Sequence, residues 1–97
     1  MEVVFPNCCG LDIHKNTITA CVLLSGGSRK QKHLQRFGAV TGELRSLAAW
    51  LHKLGVVQVA MESTGVYWKP IWNILEGEFE LCLVNAQHVK NVPGPED

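Results

Sequence analysis

Val56-Val57-Gln58-Val59-Ala60-Met61-Glu62-Ser63-Thr64-Gly65-Val66-Tyr67-Trp68 is the stretch whose reading decides the fold. It follows Gly55 and starts as a short apolar, β-branched run, the pattern of a buried strand. It ends on a carboxylate, Glu62. Ser63, Thr64 and Gly65 then offer hydroxyl caps and a flexible turn into an amphipathic segment. A strand that delivers an acid to its C-terminal tip, beside a helix start, sits where chemistry collects in open α/β sheets. The plain alternative is a solvated residue at a strand end, and the local pattern alone slightly favours it.

Upstream of this strand, Leu44, Leu47, Ala48, Leu51 and Leu54 recur at helical spacing on one face. Thr41 reads as the cap of that helix, and Gly55 sits where a helix end wants a left-handed residue. Nearer the N-terminus, Cys8 to Asp12 is the core of a first strand with Asp12 at its end, and His14-Lys15-Asn16 is a polar turn. Thr17 to Leu24 is a second strand, rich in β-branched and apolar residues. Ser25-Gly26-Gly27-Ser28 signals a turn into Gln31 to Gly38. That third strand is less apolar, and its lysines would discourage edge pairing. Downstream, a helix runs to about Leu75 with Ile71, Ile74 and Leu75 inward and Gly77 closing it. Pro70 leaves two readings: a helix starting near Trp68, with the proline in its tolerant first turn, or a kink. Phe79 to Val84 is a fifth strand, and Asn85 to Lys90 has short helical potential.

The order β-β-β-α-β-α-β predicts an α/β domain with a five-stranded mixed sheet and flanking helices. Two hairpins make an antiparallel meander, and a right-handed helical crossover brings the fourth strand beside the first, parallel to it. The sheet order is then 3-2-1-4-5 with strand 2 antiparallel to the others. Asp12 and Glu62 fall at C-terminal tips of adjacent strands, about 5 Å apart across the sheet. Two carboxylates that close repel unless a cation lies between them. A hard divalent ion such as magnesium takes oxygen ligands of this kind, as in two-metal phosphoryl transfer.

Composition bounds the rest. Ninety-seven residues, 46% hydrophobic, make one small domain with a core. Net charge is zero, so any nucleic-acid case must come from local patches. Arg29-Lys30-Gln31-Lys32-His33, with Arg36 beyond, is one such patch; a solvated hairpin edge accounts for it too. Of four cysteines (Cys8, Cys9, Cys21, Cys82), three lie in apolar runs and act as small hydrophobes. Neither they nor His14, His33, His52 and His88 show zinc-ligand spacing. Nothing in these residues resembles a secretory signal, and no apolar run reaches membrane-spanning length. The expectation is a reduced, cytoplasmic protein with no membrane partner.

Three blocks resemble one family. Gly10-Leu11-Asp12-Ile13-His14-Lys15, followed by Ile18-Thr19-Ala20, is similar to the opening of the DEDD-type transposases of bacterial insertion sequences, a group that includes the Piv-type DNA invertases. Met61-Glu62-Ser63-Thr64-Gly65-Val66-Tyr67-Trp68-Lys69-Pro70 resembles that family's second block. Leu83-Val84-Asn85-Ala86-Gln87-His88-Val89-Lys90-Asn91-Val92-Pro93-Gly94 resembles its third. The blocks span nearly the whole chain in order. The resemblance implies a ribonuclease-H-like fold close to that of the resolvase RuvC, and four acidic ligands for Mg2+ or Mn2+. Asp12 matches the first acid and Glu62 the second. The family's last two acids follow its Pro-Gly, where this chain instead reads Pro95-Glu96-Asp97; its nucleophilic serine belongs to a further domain. The expectation is therefore an N-terminal fragment, residues 1–92 a partial RuvC-like domain and 93–97 a truncated or altered tail, inactive by itself. The resemblance also implies donor and target DNA as partners, a structured guide RNA in many members, and a homo-oligomer at full length.

Other residues have two readings each. His14 and Lys15 can contact a phosphate or simply polarise a turn. Tyr67, Trp68 and Trp72 can stack on bases, with packing the stronger alternative. Lys69 and Lys90 can touch a nucleic-acid backbone or stand solvated. Ser63 and Thr64 read as caps rather than nucleophiles, since no base is placed beside them. Two competing functions remain. A nucleotide-binding fragment of the actin and sugar-kinase superfamily would need a Gly/Ser/Thr-rich phosphate loop after Asp12, where His14-Lys15-Asn16 stands. A non-catalytic remnant would bind nucleic acid or dimerise only.

Overall fold

Alternation shapes the strands. In β1 (Cys8–Ile13), Cys9, Leu11 and Ile13 are buried while Gly10 and Asp12 are exposed on the other face. In β2 (Thr17–Gly26), Ile18, Ala20 and Val22 are buried; in β3 (Arg29–Gly38), only Phe37 is, among side chains described there. Helix α1 (Thr41–Lys53) is followed by β4 (Gln58–Ser63), helix α2 (Trp68–Leu75) and β5 (Glu80–Val84). This computed structural model describes residues 7–26 and 29–84. The expected boundary at 92, the tail and Lys90 lie outside the described residues.

The sheet has the order β3-β2-β1-β4-β5. β2 is antiparallel to both its neighbours, and β1–β4 and β4–β5 are parallel, as the sequence order predicts. The β2–β3 hairpin ladder runs on to Gly26 opposite Arg29, so β2 ends and β3 begins two residues further into the expected turn; β4 begins at Gln58 rather than Val56. Leu44, Leu47 and Leu51 of α1 and Ile71 and Leu75 of α2 join Cys9, Leu11, Ile13, Val59 and Met61 in one core. Ile74, expected inward, is only partly buried. Both helices cover this one face. Burial, reinforced by Cys21, pushes the Cys9 thiol up to about 12, so it stays protonated and packs as a small apolar group.

The helix ends correct two expectations. Thr41 does not cap α1: Val40 is the N-cap, with no side-chain cap bond, and Thr41 is already helical. The first turn is fastened instead by Glu43, whose Oε1 accepts the Gly38 N–H at 2.7 Å. At the other end Gly55 has φ +76°, its N–H donates to His52 O and the Val56 N–H to Leu51 O, both at 3.0 Å. That is a Schellman closure, which needs the left-handed residue that glycine supplies without strain. Ser63 and Thr64 do not cap α2 either. Its N-cap is Tyr67, and Ser63 Oγ donates to Thr64 O at 3.1 Å, because three further residues separate Thr64 from the helix start. Pro70 falls in the first turn, where its absent N–H leaves no helical bond unmade.

No described helix covers the opposite face of the sheet. There the register lines side chains up in rows across all five strands. One row reads Leu34, Cys21, Gly10, Ala60, Cys82, and the next Arg36, Thr19, Asp12, Glu62, Val84.

Candidate active site

Asp12 and Glu62 are register partners in the parallel β1–β4 pair. Opposed residues of a parallel pair project to the same side, so both acids stand on the uncovered face, and both are exposed. Each is next to last in its strand. Just beyond them the Thr64 N–H donates to Ile13 O at 3.2 Å and holds the two strand tips together. The acids share a shallow depression with Thr19, Cys21, Ala60 and Val84.

His14 contacts the first of the two acids. Its Nε2 lies 3.3 Å from Asp12 Oδ1 and 3.4 Å from Oδ2, a long contact between two half-exposed side chains. Its backbone N–H donates to Thr17 O at 2.9 Å, which closes the turn carrying Lys15 at the same end of the sheet. Beside the acids, Thr19 bridges to a second depression lined by Leu34, Gln35 and Arg36. Thr19 falls in the first sequence block, which gives it no role of its own. The hairpin turn at His14–Asn16 sets its register opposite Asp12, and counting back from that turn would have found it.

The remaining sequence candidates lie elsewhere. Tyr67 is exposed at the start of α2, between β4 and the helix. Trp68 meets Trp72 edge to face, centroids 5.7 Å apart. Trp68 and Lys69 line a groove with Trp72, Asn73, Glu76 and Leu83 that shares no residue with the depression around the acids.

The donor set suits a hard divalent cation, since two exposed carboxylates side by side supply oxygen ligands and negative charge. It is also incomplete, because among the described residues no group of three or more His, Cys, Asp or Glu side chains is placed to hold a metal. No described helix is long and apolar enough to cross a membrane.

A family model described as a transposase, of the DEDD type, matches residues 9–96. No curated protein matches the chain in sequence. Among solved structures, the resolvase of Fowlpox virus, crystallised with its substrate Holliday junction DNA, is similar with a TM-score of 0.57 at 16% identity. The likeness covers 81% of this chain and 60% of that chain. At that identity it carries the fold alone, which is the ribonuclease-H-like fold expected.

Proposed function

The chain belongs to the DEDD transposase family, and from that premise we propose that it is the N-terminal part of a transposase catalytic domain that holds Mg2+ or Mn2+ between Asp12 and Glu62. The observation that carries this reading is the same-face register of the two acids at the ends of adjacent parallel strands. A bound divalent ion would supply activation of the attacking oxygen or stabilisation of the leaving one. Asp12 and Glu62 hold it, and His14 orients the Asp12 carboxylate. Lys15, on the turn beside the acids, and Arg36, in their row, offer positive charge to a DNA backbone. Lys90 and the exposed ring of Tyr67 are further contacts in this reading. Donor and target DNA, a guide RNA and a homo-oligomer belong to the full-length protein and rest on the family resemblance.

The nucleotide-binding alternative is not favoured. Its phosphate loop would need several backbone N–H groups turned toward a ligand after Asp12. Here the His14 N–H is spent on Thr17 O inside a tight polar turn. The remnant reading keeps one expectation: the two acids placed among the described residues can anchor one ion loosely and do not fix a second, so those residues alone should not cut DNA.

The test is binding of the purified chain to branched and duplex DNA in magnesium, over a salt series. Binding should be weak and weaken log-linearly with salt. Lys15→Ala with Arg36→Ala should lower the salt slope by about two phosphate contacts and the affinity by roughly ten-fold or more. Salt-independent binding, or none at low salt, removes the DNA reading. Nicking that vanishes in Glu62→Gln would show that the fragment completes its own site and would overturn the ligand-count argument.

A further inference from the structure

The two edges of the sheet are guarded unequally. β3 exposes Lys30, Lys32 and Arg36, a defence against strand addition. β5 reads Glu80-Leu81-Cys82-Leu83-Val84, with one charge, and no described residue pairs with its outer side. Leu83 is 40% exposed there. The Glu80 N–H donates to Val57 O at 2.9 Å, on the β4 side. Backbone groups alternate along a strand, so Glu80, Cys82 and Val84 bond inward. Leu81 and Leu83 therefore aim two N–H and two C=O groups outward.

Beside this edge, Trp68, Lys69, Trp72 and Asn73 of α2, with Glu76 just past its C-terminal end, form a groove with Leu83. The helix leads from the end of β4 back to the start of β5, so it runs antiparallel to β5. Lys69 therefore lies toward the Val84 end of the strand and Glu76 toward the Glu80 end.

We propose that β5 pairs antiparallel with β5 of a second copy of this chain, about a two-fold axis at Cys82, giving one continuous ten-stranded sheet. The register explains three separate features. Leu81 opposes Leu83 of the second copy, twice, and the four outward backbone groups of each strand are all satisfied. On the helix side Leu83 of each copy brings the Trp68–Trp72 groove to the seam, and Lys69 of one faces Glu76 of the other at each end, a charge match that only the antiparallel arrangement gives. On the uncovered face Cys82 meets Cys82 of the second copy as a non-hydrogen-bonded pair, with Cα atoms about 4.5 Å apart. That is within disulfide reach, which makes the thiol a reporter of the register. The proposal does not depend on the metal site.

The experiment is light scattering on the full chain in reducing buffer, over a concentration series. The expected mass is twice the 10.7 kDa of one chain, and Leu83→Lys should return it to one chain with unchanged far-ultraviolet dichroism. Diamide, which takes up two electrons and two protons from a thiol pair, should yield a disulfide-linked dimer. That band should disappear in Cys82→Ser, which stays a non-covalent dimer, and in Leu83→Lys, which keeps Cys82. A wild-type monomer at every concentration overturns the proposal, as does a dimer that survives Leu83→Lys. A monomer whose Leu81 and Leu83 amides resist hydrogen exchange overturns it too, and assigns the edge to another segment of the same chain.

Discussion

Met61→Ala should lower stability by about 3 kcal/mol, the usual cost of emptying a fully buried Met or Leu position. For a domain of this size that is a fall of roughly 12–24 °C in melting midpoint. Met61 has no exposed surface and sits on β4 opposite Leu11 of β1, one residue before Glu62. The parallel β1–β4 seam that aligns the acids is thus held from below by this side chain. Thermal unfolding followed by dichroism measures the loss. A change under about 1 kcal/mol would mean that the β1–β4 seam is not packed as described.

Asp12→Asn should abolish the response of the domain to divalent ions. Carboxylate sites of few ligands bind weakly, with dissociation constants near the millimolar range. Ten-fold excess over such a constant stabilises the folded state by about 1.4 kcal/mol. In the wild-type chain manganese should therefore raise the melting midpoint by roughly 7 °C. The asparagine variant should show none of this. Its shape is the same and its amide oxygen can still accept from His14, so the loss is one of charge. In metal-free buffer the variant should be slightly more stable, by at most about 0.5 kcal/mol, since the like charges are largely exposed. Equal manganese shifts in both proteins would place the ion elsewhere.

Most of the fold was legible because each of its signals is local. The apolar run at Val56–Met61, the leucine spacing of α1 and the Ser25–Ser28 turn each name one element. The order of elements then leaves few topologies. The acid pair was legible for the same reason: once β1 and β4 are neighbours, counting residues aligns Asp12 with Glu62. What escaped was where each helix begins, which the backbone decides and the type of a nearby side chain does not show. Thr41 has the hydroxyl of a cap, but Val40 takes the extended cap position and Glu43 reaches back to Gly38. Ser63 and Thr64 look like caps because they stand where a strand ends, yet the chain turns through Gly65, at φ +58°, before α2 begins. The aromatic stripe of α2 could not be placed either, since its neighbour Leu83 arrives from the next strand.

Glu62 comes fifty positions after Asp12 in the chain, and that separation sets when the site exists during folding. The β1–β2–β3 meander closes through short turns, whereas joining β1 to β4 must first close a long loop. Non-local pairings of this kind are the slow part of folding. The acids are apart while the hairpins form and meet only when β4 docks. A cation held by both can therefore act on the finished structure but cannot template its early assembly. Manganese should slow unfolding of the wild-type chain while leaving its refolding rate almost unchanged, the behaviour of an interaction absent from the transition state. Stopped-flow refolding and unfolding with and without the ion separate the two limbs, and faster refolding would mean that β1 and β4 meet early.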